Sequence, residues 1–285
     1  MKLLIIVFII IMLAVLLEMN RELSNFQIVR YELKIPELKN NKKVLFLSDL
    51  HNHVYGNENQ ELLQAICNEQ PDIILIGGDM LVGKEGIPYE TALSFVKKLP
   101  SVSPVYYASG NHEQRMKEQP ERYDYSYIEY YEELKAAGIR FLENESANLL
   151  WDGKKIKITG LLIPLRCYTH FHKEKLEVSE LIDRIGKKEA DKYEILLAHN
   201  PSYMKQYLER GADLILSGHL HGGIVRIPGV AGAISPSFEI FPKYSGDLYH
   251  EGKTDIVVSK GLGTHTFNIR LFNPAELIVL ELKGD

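Results

Sequence analysis

Five short clusters of histidine, aspartate and asparagine interrupt the chain, and each follows an apolar run. They are Ser48-Asp49-Leu50-His51, Gly77-Gly78-Asp79, Gly110-Asn111-His112-Glu113, His199-Asn200 and Gly218-His219-Leu220-His221-Gly222. Carboxylate oxygen and imidazole nitrogen suit divalent ions such as manganese, iron or zinc. The ordered set therefore predicts two adjacent metal ions in one pocket, a centre that typically hydrolyses phosphate esters.

The elements that must position these clusters are short strands. Apolar, strand-forming runs at residues 43–48, 72–76, 105–108, 194–198 and 212–216 end just before the five clusters. In open α/β sheets, ligands gather at the carboxyl ends of strands, so five such ends meeting in one crevice explain the placement. Asp79 stands alone in its cluster, and an aspartate can bridge two metals by sharing its oxygens. We therefore predict Asp79 as a bridging ligand.

Helical patterns alternate with these strands. Helices are predicted at residues 59–68, 91–98, 127–137, 176–185 and 203–210. Further strands are predicted at residues 139–142, 147–151, 155–162, 255–259 and 276–282. Asp152-Gly153 is typical of a hairpin turn. Alternating strands and helices favour βαβ units with parallel pairing, so the predicted fold class is α/β, with two packed sheets and helices outside them.

The ordered clusters resemble the sequence blocks of the calcineurin-like metallophosphoesterase family. Those blocks run D-x-H, G-D, G-N-H-E/D, H and G-H-x-H, and the match spans residues 44–221. The resemblance implies a four-layer αββα sandwich, in which two mixed sheets are flanked by helices. Segments at residues 235–236, 241–244, 259–263 and 269–276 resemble a membrane-associated or exported bacterial branch, whose phosphohydrolases are related to lipid-headgroup enzymes.

The resemblance also implies roles for individual residues. The implied ligands of one metal are Asp49, His51 and His221, and those of the other are Asn111, His199 and His219, with Asp79 bridging the pair. His112 is implied to face the phosphate, where it protonates the leaving oxygen or stabilises charge on it. The implied reaction is in-line attack by a metal-bound hydroxide.

The chain departs from the family pattern at one position. Many members carry an aspartate shortly after the G-D block, and that aspartate orients the catalytic histidine. Here Gly83 stands near that position. Glu113, or a nearby carboxylate, is the candidate to orient His112 instead, and the acid partner of His112 stays open.

Several side chains outside the clusters are candidate substrate contacts. These are His53, Arg115, Arg166 and Lys243. A second H-x-H, at His170 and His172, lacks the apolar strand and glycines that frame His219, so it predicts a surface loop. His250 and His265 are not predicted as ligands.

A tyrosine-rich segment lies at residues 118–131. The preferred interpretation is a helix packed by aromatic side chains over the sheet edge. The alternative is a lid above the metals or an interfacial aromatic belt.

The N-terminus predicts a membrane helix. Residues 3–17 form an unbroken apolar stretch that reaches roughly 22 Å as a helix. This is short for a bilayer core and also fits a secretory signal, but residues 16–19 offer no small-residue cleavage site. An uncleaved single-pass anchor is therefore preferred. Lys2 favours a domain outside the cytoplasm, whereas Arg21, Arg30 and Lys34 favour the opposite orientation.

The bulk composition limits the alternatives. The 285 residues suffice for one large α/β domain, predicted at residues 43–285 after an anchor at 1–20 and a juxtamembrane segment with an edge strand at 21–42. A net charge of −5 argues against a nucleic-acid surface. Two cysteines, Cys67 and Cys167, leave the redox compartment undecided. The sequence does not indicate an oligomeric state.

These observations lead to one principal hypothesis and two alternatives. The principal hypothesis is a membrane-anchored dimetal phosphoesterase acting on a phosphodiester or pyrophosphate bond. A lipid-linked substrate fits, because an anchor near the bilayer raises its local concentration. The first alternative is a general phosphomonoesterase or nucleotide phosphodiesterase. The second is a metal-binding scaffold without catalysis, against which the complete ligand set argues.

Overall fold

The computed structural model describes residues 1–169, 174–223, 225–227, 231–234, 242–264 and 268–284. Its helices are α1 (Lys2–Ser24), α2 (Gln60–Glu69), α3 (Glu90–Val96), α4 (Asn111–Glu118), α5 (Tyr127–Ala136), α6 (Val178–Ile185) and α7 (Met204–Arg210). Its strands are β1 (Phe26–Lys34), β2 (Lys42–Leu47), β3 (Ile73–Ile76), β4 (Val105–Tyr107), β5 (Arg140–Phe141), β6 (Glu145–Trp151), β7 (Lys154–Leu161), β8 (Tyr193–Ala198), β9 (Leu214–Ser217), β10 (Val225–Ile227), β11 (Ala231–Ile234), β12 (Asp247–Glu251), β13 (Thr254–Val258) and β14 (Ala275–Lys283).

Two six-stranded mixed sheets form the centre of the fold. The first has the order β1-β14-β2-β3-β4-β5, and the second has the order β12-β13-β9-β8-β7-β6. Neighbours are parallel from β2 to β5 and from β13 to β7, whereas β14 runs antiparallel to β2. The edge strands β6 and β12 are also antiparallel to their neighbours. The predicted mixed sheets are confirmed.

Successive side chains of the central strands lie on opposite faces of each sheet. Each sheet therefore packs against the other sheet on one face and against helices on the other, which gives four layers. In β2, Val44 and Phe46 belong to the core between the two sheets, while Leu45 and Leu47 belong to the core under α2, α3 and α5. A third core lies between the second sheet and helices α6 and α7. Strands buried on both faces need nearly continuous apolar sequences, which is why these runs were readable in the sequence.

The predicted strands and the five helices predicted after the N-terminal stretch agree with the structure to within two residues at their ends, whereas helix α1 extends seven residues beyond the apolar stretch at 3–17. The Asp152-Gly153 turn is confirmed, with φ of 53° and 92° in the hairpin that joins β6 to β7. The tyrosine-rich segment supplies Tyr127 and Tyr130 to the core beneath α5, so the packed-helix interpretation is confirmed.

Four observed elements escaped sequence analysis, namely helix α4 and strands β10, β11 and β12. Helix α4 carries Met116 as its one apolar side chain, so no helical periodicity marks it. Its N-terminus is stabilised by Glu113, whose carboxylate accepts a 3.0 Å hydrogen bond from the Gly110 N–H. Strand β12 is a mostly polar, half-exposed edge strand, and its residues give no apolar alternation.

The N-terminal helix α1 leads directly into the first sheet. By length and composition alone it could cross a membrane, and its most apolar window has a mean hydropathy of 2.8. Only Asn25 separates it from β1, which pairs in parallel with β14 as the edge strand of the sheet. The predicted edge strand is therefore present. Since β14 is antiparallel to β2, the start of β1 lies at the edge where β2 ends.

The buried faces of the sheets yield a stability prediction. Leu216 on β9 is fully buried between the sheets, and Leu150 on β6 is 69% exposed. Leu216→Ala should lower the free energy of unfolding by about 2–5 kcal/mol, because it removes buried contacts and leaves a cavity. Leu150→Ala, the matched control, should change it by less than about 0.5 kcal/mol. Urea denaturation of the full chain in detergent measures both, and equal midpoints would contradict the assigned core.

Candidate metal centre

The five predicted clusters meet at one edge of the sandwich. Asp49 and His51 follow β2, Asp79 follows β3, and Asn111 opens α4 after β4. From the second sheet, His199 follows β8, and His219 and His221 follow β9. The parallel strands of each sheet direct their carboxyl ends to the same edge, and the loops after them bring the side chains together.

Three groups of potential donor atoms overlap at this edge. They are Asp49 with His51 and His221, His51 with Asp79 and His112, and Asp79 with His199 and His219, and within each group all donor atoms lie within 4.8 Å of one another. The Asp79 Oδ2 atom lies 3.0 Å from His199 Nε2 and 3.8 Å from His51 Nε2. Asp79 therefore lies between two sets of donors, where a bridging ligand must be.

Asn111 supplies an independent test of whether these residues fit a metal. Its side chain is 2% exposed, and its Oδ1 atom has no hydrogen-bond partner among the described residues. A buried amide oxygen without a donor costs stability, whereas a bound cation satisfies it. The donor set and this orphaned oxygen both fit a divalent ion.

Hydrogen bonds behind the donors fix which imidazole nitrogen faces the pocket. His199 Nδ1 lies 2.7 Å from the Gly77 carbonyl oxygen, and His221 Nδ1 lies 3.1 Å from that of Gly263. A carbonyl only accepts, so each Nδ1 carries a proton and each Nε2 faces the pocket, where a bound metal ion would take the place of any proton on it. Metal-binding histidines are held in this way.

The backbone at the predicted ligands is strained. Asp49, His51, Asp79, His219 and His221 all have positive φ, between 48° and 69°. This left-handed conformation is uncommon for residues other than glycine, and such strain concentrates at functional sites.

Glu113 ties two of the ligand loops together. Its Oε2 atom accepts from the N–H groups of Asp79 (2.9 Å) and Gly110 (3.0 Å), and its Oε1 atom accepts from Met80 N–H (2.8 Å) and the Tyr107 hydroxyl (2.6 Å). None of these four hydrogen bonds goes to His112, so the candidate role of Glu113 in orienting that ring stays a prediction. Both carboxylate oxygens are occupied in holding the loops after β3 and β4.

A backbone amide holds the imidazole ring of His112. The Gly83 N–H donates a 2.8 Å hydrogen bond to His112 Nδ1. Because Nδ1 accepts, the neutral ring carries its proton on Nε2. The imidazole packs edge-on against His51, with ring centroids 4.8 Å apart. Gly83 thus contacts His112 through its backbone N–H, as a hydrogen-bond donor.

The electrostatics of the pocket favour bound cations. Asp49 and Asp79 are both fully buried, and burial raises the pKa of Asp49 to about 6. Burial opposes charge on His199, yet the carboxylates of Asp79 and Asp49 raise its pKa to about 10. Burial would also raise the pKa of Asp79, but the neighbouring imidazoles, His199 first, hold it well below its usual range. The carboxylates draw positive charge into the pocket, as a metal would supply.

The four candidate substrate contacts lie in different surroundings. His53 is half-buried against the Tyr55 ring, 4.6 Å away between centroids. Arg115 lies on α4, one turn after Asn111. Arg166 and Lys243 instead form surface ion pairs, Arg166 with Glu180 and Lys243 with Glu251, each at 2.5 Å. None of these placements assigns a substrate contact.

Some of the other predicted positions lie outside the described residues. His170, His172, His265, residues 235–236 and Phe241 belong to this set. His250 is described and lies on β12, where its Nδ1 atom is 2.6 Å from Asp255.

Tyr168 is a neighbour of the centre that sequence analysis missed. It is 7% exposed, and its ring lies edge-on to that of His219 with centroids 5.2 Å apart. It follows an apolar stretch without a histidine, glycine or acid beside it, so no local signal marks it.

Comparison with known proteins identifies the same segment of the chain. The family model of calcineurin-like phosphoesterases matches residues 42–223, which include all seven predicted ligands. The Escherichia coli protein named phosphodiesterase YaeI is 26% identical over 264 residues, covering 90% of this chain and 88% of that protein. The uncharacterized Bacillus subtilis protein YpbG is 28% identical over 249 residues, covering 85% and 81%. An uncharacterized metallophosphoesterase of Campylobacter jejuni is 28% identical over 274 residues, covering 93% of this chain and 65% of that protein.

The buried carboxylates predict that divalent metal stabilises the fold. Adding manganese to chelator-treated protein at about a hundred times its dissociation constant contributes about 2.7 kcal/mol, which should raise Tm by roughly 5–10 °C. Asp79→Ala should abolish this shift, and Asp191→Ala, at an exposed aspartate paired with Lys155, should retain it. Differential scanning calorimetry of the detergent-solubilised chain measures the effect. An unchanged Tm in the unsubstituted protein would exclude a metal site here.

The contacts of Glu113 predict a structural cost for a small change. In Glu113→Gln one carboxylate oxygen becomes an NH₂ group, which leaves two buried donors without an acceptor. The free energy of unfolding should fall by about 2–5 kcal/mol, since each unsatisfied group costs about 1–3 kcal/mol. Glu132→Gln, at an exposed position of α5, is the matched control. Denaturant midpoints that do not separate the two variants would refute this role.

Proposed function

Because the chain belongs to the calcineurin-like phosphoesterase family, we propose that it hydrolyses a phosphodiester or pyrophosphate bond with two divalent metal ions. The proposal is carried by the overlap of donor groups around Asp79, together with the buried Asn111 Oδ1, which lacks a hydrogen-bond donor among the described residues. Bound ions would activate a water molecule as nucleophile and neutralise the phosphate oxygens. Manganese, iron and zinc all suit this donor set.

Separate sets of side chains would hold the two ions and contact the phosphate. Asp49, His51 and His221 would hold one ion, and Asn111, His199 and His219 the other, with Asp79 between them. His112 would act through its Nε2–H, which the Gly83 contact leaves as the proton-bearing atom. A neutral imidazole donates a hydrogen bond to an anionic oxygen, so His112 would stabilise charge on the phosphate or leaving oxygen.

Membrane attachment completes the proposal. Helix α1 would be an uncleaved single-pass anchor around residues 1–20, with the phosphoesterase domain outside the cytoplasm. A lipid-linked phosphate ester is the favoured substrate, because an anchored site meets membrane substrates at high local concentration. The similar protein YaeI is named a phosphodiesterase, and this name supports a diester rather than a monoester as the substrate proposed for this chain.

A comparison of two chromogenic substrates tests the reaction class. In manganese, bis-p-nitrophenyl phosphate should be turned over faster than p-nitrophenyl phosphate. The reverse order would favour the alternative, a general phosphomonoesterase. A metal-loaded protein that hydrolyses neither of these, nor nucleotide or lipid pyrophosphates, would favour the scaffold alternative.

Two substitutions separate metal binding from hydrogen bonding to substrate. Asp79→Ala should remove both bound metal and turnover, and activity that survives this change would refute the bridging role. His112→Ala should lower kcat about a hundredfold or more while the metal content per chain stays unchanged. Metal analysis by mass spectrometry and steady-state kinetics measure the two effects, with Asp191→Ala as control.

A further inference from the structure

The end of helix α1 is fastened to the loops of the metal centre. Glu22 is 3% exposed, and its Oε2 atom accepts a 2.9 Å hydrogen bond from the Asn273 N–H. The Asn273 side chain in turn donates to the carbonyl oxygens of His221 (2.6 Å) and Gly223 (2.7 Å). A single residue therefore connects the helix to the backbone of a predicted metal ligand.

Two further contacts fasten the same end of the helix. The His53 ring lies beside the backbone of Leu23. Phe26, directly after the helix, packs edge-on against Tyr55 with ring centroids 4.9 Å apart, and the Tyr55 hydroxyl donates to the Leu262 carbonyl. Three separate contacts leave no flexible linker between the apolar helix and the centre.

With α1 placed in a bilayer, this rigid connection sets the distance between the metal centre and the membrane. The helix continues unbroken from Leu17, the last residue of the apolar stretch, to Glu22 and on to Ser24. At 1.5 Å per residue, Glu22 lies about 7–8 Å beyond Leu17 along the axis. The head-group layer is roughly 5–8 Å thick on each side of the bilayer core. Residues that contact Glu22 are therefore at the depth of lipid head groups.

Exposed apolar side chains lie next in sequence to the residues that form this junction. Val54 (43% exposed) lies between His53 and Tyr55, and Phe272 (48% exposed) directly precedes Asn273. Ile269 (37% exposed) precedes Arg270, whose guanidinium donates to the Asn273 carbonyl. We call Val54, Ile269 and Phe272 the helix-exit face. Phe272 also has a positive φ of 54°, a strained conformation that presents a large apolar ring to the surface.

We propose that the helix-exit face rests in the head-group layer of the bilayer that holds α1, so that the metal centre opens onto that layer. The partner is a lipid surface, and the proposal rests on the membrane placement of α1 made above. The strongest support is continuity, since the three residues adjoin the contacts that fasten the end of an apolar helix to the fold. Transfer of exposed apolar side chains near such a point into the interface lowers the free energy.

Fluorescence quenching tests the depth of the face without relying on activity. Trp151 is the single tryptophan, so Phe272→Trp in a Trp151→Phe background reports on one position. The full chain is reconstituted in phosphatidylcholine vesicles with lipids brominated near the start of the acyl chains. The Phe272→Trp emission should be strongly quenched. Emission that is as weakly quenched as that of the control below would overturn the proposal, whether water or another protein covers the face.

Leu150→Trp in the same background is the matched control. Leu150 is 69% exposed and pairs with Lys155 near the start of β7, at the edge opposite the metal centre. Its emission should be the same with brominated and unbrominated lipids. Circular dichroism and metal content establish that both variants are folded.

A kinetic measurement then relates the face to substrate. Phe272→Ser should lower the ratio of turnover on a vesicle-borne lipid phosphodiester to turnover on bis-p-nitrophenyl phosphate by about tenfold, through lost interfacial burial. Leu150→Ser should leave the ratio unchanged. An unaltered ratio in Phe272→Ser would contradict the proposal. Quenching without turnover of either substrate would instead refute the proposed function and leave the membrane surface standing.

Discussion

Two carboxylates buried in one pocket, those of Asp49 and Asp79, are the constraint on which the rest of the site depends. Removing a negative charge from water costs several kcal/mol unless cations and hydrogen-bond donors replace the solvent. The fold supplies the donors from its own backbone. His219 N–H donates to Asp49, and His112 N–H donates to Asp79 at 2.8 Å. Protonated imidazoles or metal ions must balance the remaining negative charge. The five loops converge to provide ligands for such metal ions.

The sandwich makes this convergence possible because the parallel strands of both sheets end at one edge. The loops then approach more closely than side chains would allow. A Cβ atom on Gly110 would lie 2.8 Å from Asp79 Cγ, and one on Gly218 would lie 3.1 Å from Ser48 Cβ. Glycine at these positions is therefore a packing requirement of the metal centre. The Glu113 carboxylate completes the arrangement by accepting hydrogen bonds from backbone N–H groups of two neighbouring loops.

The hydrogen bond from Gly83 N–H to His112 determines which nitrogen of the neutral imidazole carries the proton. A carboxylate at this position would favour a protonated imidazole, because it accepts a hydrogen bond from Nδ1–H. A backbone N–H does the opposite, since it requires a lone pair on Nδ1. The ring keeps a defined orientation, but the proton available to the pocket is that of a neutral imidazole.

Sequence patterns alone predicted most of the strands and helices, the family resemblance and the set of candidate ligands, because apolar runs and short polar clusters are local signals. They could not predict the partners of Glu113 and His112, several of which lie about thirty positions away in other loops. Helix α4 and Tyr168 gave no local pattern at all. The position of α1 was also decided only by tertiary structure. An apolar stretch predicts a membrane helix, but only the folded chain joins Glu22 to Asn273, 251 positions along the sequence, and so brings the helix end to the metal centre.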